Sequence, residues 1–122
     1  MTIIKKKKLI VLSKGSDRRG ITIHNMLVDK PYRDYDVKCD RTSPLGNPVG
    51  LQNDESKRNW VCDYYSNWFY TEVLTGHKIE AYNELMELQY LYDKYKRLRL
   101  FCWCVPKRCH VETIKRWLEN NI

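Results

Sequence analysis

The chain of 122 residues and 14.8 kDa has the length of one domain, enough to bury a core without cross-links. Its 43% apolar share, with nine Tyr and four Trp, excludes the low hydrophobicity of a disordered chain, and no apolar run approaches the roughly 20 residues that span a bilayer. The net charge of +7 favours anionic partners, either phosphate-bearing small molecules or nucleic acid, although most basic residues are scattered along the chain.

Lys5–Lys8 precede a short apolar run, Leu9–Leu12. A signal peptide needs a longer apolar stretch and a small-residue cleavage site, so this reads as a charged lead-in to a buried strand over Lys8–Ser13. Arg19–Asn25 alternates Ile21 and Ile23 with Thr22 and His24, the pattern of a half-buried strand. Asp29–Asp34 reads as a loop. Tyr35–Cys39 is a further short strand that delivers the chain to Arg41.

Thr42–Asn53 holds Pro44, Gly46, Asn47, Pro48 and Gly50, so no regular element runs through it. Asn53 or Asp54 caps a helix from Glu55 to about Leu74, where Trp60, Val61, Tyr64, Tyr65, Trp68, Phe69 and Val73 recur at helical spacing. Trp60, Tyr64, Tyr65 and Trp68 read as core more readily than as a base-stacking platform. Gly76 interrupts, and a second helix spans Ile79–Tyr95. Arg97–Trp103 alternates Leu98, Leu100 and Cys102 as a strand; Pro106 forces a loop; Val111–Asn120 closes as a helix.

Strands separated by helices predict an α/β fold: a single domain over 1–122, with a small, mainly parallel, Rossmann-like sheet of about four strands and three helices packed on it. In such sheets ligands lie beyond the carboxyl ends of the strands. The two irregular loops, Arg41–Pro48 and Cys102–His110, each follow a strand and run into a helix, so both belong at that edge.

In the first loop Arg41 offers a fork of donors suited to phosphate or carboxylate. Gly46 permits close backbone approach, Asn47 can bond a base, a ribose or its own turn, and Thr42 and Ser43 supply short donors. A plain Pro/Gly turn with one surface Arg is the blander alternative. In the second loop Cys109 and His110 stand where the last helix begins. The helix dipole there would acidify a thiol, and backbone amides with Lys107 and Arg108 would receive an anion. His110 would serve as acid, base or phosphate donor, and Cys104 would line the site. Glu112 is a carboxylate near the site or merely a complement to the helix N-terminus.

The five cysteines (39, 62, 102, 104 and 109) are odd in number, and three fall within eight residues. That pattern suits reduced thiols in the cytoplasm better than a secreted disulfide framework. Cys102, Cys104, Cys109 and His110 are four competent zinc ligands, yet a zinc site ordinarily uses spacers of about two to four residues and a distant second pair. Core packing of Cys102 is the commoner outcome, so no metal or other cofactor is assigned. His24 and His77 stand alone and read as surface or capping residues. Asp40 reads as a residue that orients Arg41.

R-T-S-P-L-G-N-P and, some distance on, L-F-C-W-C-V-P-K-R-C-H together resemble the domain-of-unknown-function family 4326. That family is similar in carrying an Arg-x-Ser-Pro-Leu-Gly-Asn-Pro loop, a helix with a tyrosine, and a strand ending Cys-Trp-Cys-x-Pro-x-x-Cys-His. The resemblance covers about Tyr35 to the C-terminus and leaves residues 1–34 outside it. It departs at Val49, where the family has Phe, and at Val111 and Glu112, where the family has Gly-Asp. It implies a bacterial or phage source and a shared site between the two loops, but carries no activity with it.

The expectation is therefore a pocket for a phosphate-bearing nucleotide- or nucleoside-type molecule, contacted by Arg41, Ser43, Gly46, Asn47, Cys104, Lys107 and Arg108. His110 and Cys109 are the candidate catalytic pair if a glycosidic or phosphoryl bond is processed; whether it is an enzyme is left open. Nucleic-acid binding through a basic aromatic surface and a structural zinc module for protein contacts are the competing classes. Composition predicts no membrane association and does not fix the oligomeric state.

Overall fold

The computed structural model describes residues 20–51 and 54–121. The strand expected over Lys8–Ser13 lies outside the described residues. Within them the chain is mixed α/β, with three parallel strands and three helices.

The strands are β1 (Gly20–Asn25), β2 (Asp36–Lys38) and β3 (Arg97–Cys102), in the order β1-β3-β2. Both outer strands run parallel to β3, with Ile21 opposite Leu98 and Val37 opposite Leu100. The period-2 pattern read from the sequence sets the faces: Leu98, Leu100 and Cys102 point one way and join the hydrophobic core, while Arg97, Arg99 and Phe101 point the other.

Because β1 and β2 are parallel, the chain between them must travel back along the sheet. Residues 26–35 make that return without a helix, and they lie over the Arg99 side of β3. Arg99 bonds Asp36 at 2.8 Å and Asp29 at 3.0 Å and lies over the Tyr32 ring. Phe101 is thereby fully buried, stacked on His24 and capped by Arg99. Asp29–Asp34, read as a loop, is thus the cover of one sheet face.

On the other face pack α1 (Arg58–Trp68), α2 (Ile79–Tyr95) and α3 (Val111–Asn120). A 3-10 turn, Glu55–Lys57, leads into α1, and Phe69–Val73 extends it as a π-helical turn. Asp54 caps the turn by accepting the Ser56 N–H at 3.0 Å. The inward stripes supply Tyr65 and Phe69 from the α1 segment, Leu85 and Leu88 from α2, and Ile114 and Leu118 from α3. Each is fully buried, worth about 1.5–3 kcal/mol apiece for an apolar side chain of that size. Gly76, at φ 86°, turns the chain between α1 and α2.

The aromatic stripe of α1 divides by position. Tyr65 is in the core, Trp68 packs against it, but Trp60 and Tyr64 are 58% and 40% exposed and tilted together at 5.6 Å. The expectation that all four belong to the core is corrected for that pair, because Trp60 and Tyr64 occupy the outward side of the helix.

Candidate functional site

Both strands that lead into the irregular loops end at one edge of the sheet, and beyond that edge lies an open cavity of about 320 Å³. Arg41, Asn47, Cys104, Arg108, Cys109 and His110 all line it. The two loops therefore meet, although they are far apart in sequence.

Three bonds join the loops and hold them to the core. Trp103 Nε1–H donates to Asp40 Oδ2 at 2.9 Å. His110 Nε2 lies 2.8 Å from the Cys39 carbonyl oxygen. Tyr65, buried in α1, donates its hydroxyl to the Leu45 carbonyl at 2.7 Å. A fourth anchor comes from Asn25 at the end of β1, whose side-chain amide donates to the Val105 carbonyl at 2.6 Å.

Within the first loop most polar groups serve the loop itself. Asp40 accepts from the Thr42 backbone and hydroxyl. Its burial raises the carboxyl pKa, but bonds from Thr42 and Trp103 outweigh this and hold it below the usual value. Ser43 Oγ accepts the Leu45 N–H at 3.0 Å and does not line the cavity. Gly46 also lies off the cavity wall; a Cβ there would collide with the Asp40 carbonyl oxygen and come within 2.7 Å of Arg41 Cα. Its role is the close backbone approach expected of glycine, made to its own loop. Asn47 is buried, donating to the Val61 carbonyl at 3.2 Å and accepting the Val49 N–H at 2.9 Å.

Arg41 differs from these. It makes no hydrogen bond or ion pair to any of the described residues, and its guanidinium rests in the space that a side chain at Gly50 would fill. The Asp40 carboxylate turns away from it, toward Thr42 and Trp103. The expectation that Asp40 orients Arg41 is corrected: the residue it orients is Trp103.

The other cations are engaged. Arg108 binds Asp63 at 2.8 Å and the Asn59 side chain at 3.1 Å. Lys107 points away from the cavity, 3.7 Å from Glu55. Arg58, which no sequence motif singles out, lines the cavity and grips Glu55 with two nitrogens at 2.8 and 2.9 Å. It also donates to the Arg108 carbonyl at 2.8 Å. Nothing in the periodicity of α1 separates Arg58 from a solvated surface arginine.

The start of α3 is not an open anion site. The Cys109 N–H is bonded by Glu112 Oε2 at 3.1 Å, and the Glu112 and Thr113 amides by the Cys109 and His110 carbonyls. The expectation of free amides there is corrected, because the helix closes its first turn on itself.

His110 is buried and packs edge-on against the Tyr65 ring at 4.8 Å. Burial lowers its pKa, so the neutral ring donates Nε2–H to Cys39 and leaves Nδ1 as an acceptor, 3.7 Å from Cys109 Sγ. With Nε2 bound to the backbone, that nitrogen is not available to donate to a phosphate.

The thiols also depart from expectation. Cys109 is the thiol expected to be acidified, yet the neighbouring Cys102 and Cys104 sulfurs, and burial, push its pKa up. It is Cys104 whose pKa falls, through the neighbouring Cys102 and Cys109 thiols and the Arg58 guanidinium. Cys104 is half-buried and faces the cavity, whereas Cys102 and Cys109 are buried. Among the described residues no three His, Cys, Asp or Glu side chains converge as a metal-ligand set, and no helix is long and apolar enough to cross a membrane.

The model of the family described as Domain of unknown function (DUF4326) matches residues 25–120. The chain belongs to the DUF4326 family. The DUF4326 match begins about ten residues before the resemblance read from the two motifs, at Asn25, the residue that ties β1 to the second loop. The DUF4326 segment therefore contains the carboxyl ends of all three described strands and every described residue of the cavity wall. No curated protein and no solved structure matches the chain.

Proposed function

We propose that the cavity binds a phosphate-bearing small molecule of nucleotide or nucleoside type. The observation that carries the reading is Arg41: a guanidinium on the cavity wall with no bond to any described residue. A fork of donors in that condition suits a phosphate supplied from outside.

Trp103 supports the nucleoside half of the proposal. Its indole lines the cavity and is 48% exposed, yet its nitrogen is fixed by Asp40. A flat ring held in place and open on one side is a stacking surface for a base. Val49, Leu51 and Val61 add apolar wall, and about 320 Å³ falls at the lower end of small-ligand pockets, roughly 300–1,000 Å³. The place beyond the carboxyl ends of parallel strands is where Rossmann-like sheets hold nucleotides.

In this reading Arg41 takes the phosphate and Trp103 the base. Asn47, Gly46 and Ser43 shape the loop, Arg58 and Arg108 keep the cavity electropositive at its edge, and the neutral His110 forms its floor. A thermal-shift screen of nucleoside mono-, di- and triphosphates, nucleosides and inorganic phosphate tests it. Stabilisation by a phosphorylated nucleoside that Arg41→Ala and Trp103→Ala each abolish is the expected result. No stabilisation across the panel, or stabilisation indifferent to both changes, overturns it.

A further inference from the structure

Three thiols of the second loop form a cluster that phosphate binding does not require. Cys102, Cys104 and Cys109 line one cavity together with Arg58, and Cys109 Sγ lies 3.7 Å from His110 Nδ1. Their surroundings differ. Cys104 is half-buried on the open cavity, while Cys102 and Cys109 are 1% and 2% exposed. Cys104 is thus the thiol that solvent reaches, and the neighbouring thiols with the Arg58 guanidinium lower its pKa.

The buried partner has its own base. His110 gives Nε2–H to the Cys39 carbonyl at 2.8 Å, which leaves the Nδ1 lone pair 3.7 Å from Cys109 Sγ. A proton leaving Cys109 has a receiver in place.

We propose that this cluster is a peroxide-oxidation site, with Cys104 as the thiol that is oxidised and Cys109 as the thiol that resolves it into a Cys104–Cys109 disulfide. The Cys104 thiolate attacks one oxygen of a hydroperoxide; an S–O bond forms, the O–O bond breaks, and the departing alkoxide or hydroxide takes up a proton. Cys104 is then a sulfenic acid. Cys109 passes its proton to His110 Nδ1 and attacks the Cys104 sulfur. The S–S bond forms, the S–O bond breaks, and the hydroxide leaves as water with the proton from His110. Two thiols are oxidised, and the hydroperoxide is reduced to an alcohol (or water) and water.

Cys102 is the poorer resolving thiol. It ends β3 with its side chain in the core, and a single residue separates it from Cys104, which strains a bridge between them. Cys109 reaches Cys104 from the far end of the loop and alone has the imidazole beside it.

The test treats the reduced full chain with one equivalent of hydrogen peroxide, then alkylates the remaining thiols and maps the peptides. The expected product has lost two hydrogens, carries a Cys104–Cys109 link, and leaves Cys39, Cys62 and Cys102 alkylated. Cys104 should react roughly tenfold or more faster than Cys62, whose thiol burial pushes upward. In Cys109→Ser the sulfenic acid should persist at Cys104 and be trapped by dimedone. In His110→Gln the disulfide should form roughly tenfold more slowly while the first oxidation keeps its rate. Preferential oxidation at another cysteine, a Cys102–Cys104 link, or a Cys104 no faster than Cys62 overturns the proposal. Should either variant fail to fold, the map of the unaltered chain decides by itself.

Discussion

Trp103 Nε1 donates to Asp40 Oδ2 across 2.9 Å, although the two residues stand 63 positions apart in the chain. That bond fixes the indole over the cavity and shares a carboxylate with Thr42. Asp40→Ala should therefore release the ring and leave the Trp103 and Thr42 donors without their partner, a loss of about 1–3 kcal/mol. Urea unfolding measures the cost, and broadened or shifted tryptophan emission reports the freed indole. A variant as stable as the parent would remove Asp40 from the frame.

Gly46 and Gly50 separate frame from function. Gly46→Ala pushes a methyl into the Asp40–Arg41 backbone, which cannot retreat without moving the loop, at about 1–3 kcal/mol. The nearest atoms that Gly50→Ala meets are those of the Arg41 guanidinium, which can swing away. Denaturant midpoints should fall for the first and hold within about 0.5 kcal/mol for the second, while any nucleotide stabilisation should drop for both.

Arg41→Ala removes an exposed side chain with no described bond, so unliganded stability should stay within about 0.5 kcal/mol. The melting temperature without ligand checks this. A large fall would mean that Arg41 has a structural partner, and would weaken the case for a phosphate.

Tyr65→Phe deletes the hydroxyl that satisfies the buried Leu45 carbonyl. The ring still packs, so the expected cost is that of one orphaned buried acceptor, about 1–3 kcal/mol. Equilibrium unfolding measures it, and hydrogen exchange should quicken at Gly46, whose N–H is bonded within the same loop.

His110 imposes a pH dependence whose sign is fixed. Its folded pKa lies below the ordinary 6.5 because burial penalises the charged ring. Above 6.5 the ring is neutral in folded and unfolded chains alike. As pH falls below 6.5 the unfolded chain takes up the proton first, so stability declines until the folded state is protonated too. Unfolding midpoints from about pH 7.5 to about pH 5.5 should show this fall, and His110→Gln should flatten part of it. His24, also lowered by burial, accounts for a remaining slope of the same sign.

Much of the fold was legible because local chemistry and global structure agree. The alternation of Leu98, Leu100 and Cys102 marks β3, and the stripe through Leu85 and Leu88 marks α2 over Ile79–Tyr95. The meeting of the two loops also followed from their places after parallel strands. What did not follow was the use each polar group makes of its neighbours. Asn47 and Ser43 serve their own turn, and the neighbouring thiols with Arg58 decide which cysteine is acidified. Arg58 and Trp103 became visible as cavity residues only when α1 and the second loop were packed together, since spacing carries no record of a contact made across the fold.

The strand order β1-β3-β2 also dictates a schedule for synthesis. Among the described residues neither outer strand pairs with the other; both pair with Arg97–Cys102. On the ribosome these two ladders cannot form until Arg97–Cys102 has emerged, long after both outer strands have been made. A nascent chain stalled before residue 97 would have two of the helices available but neither of these two ladders.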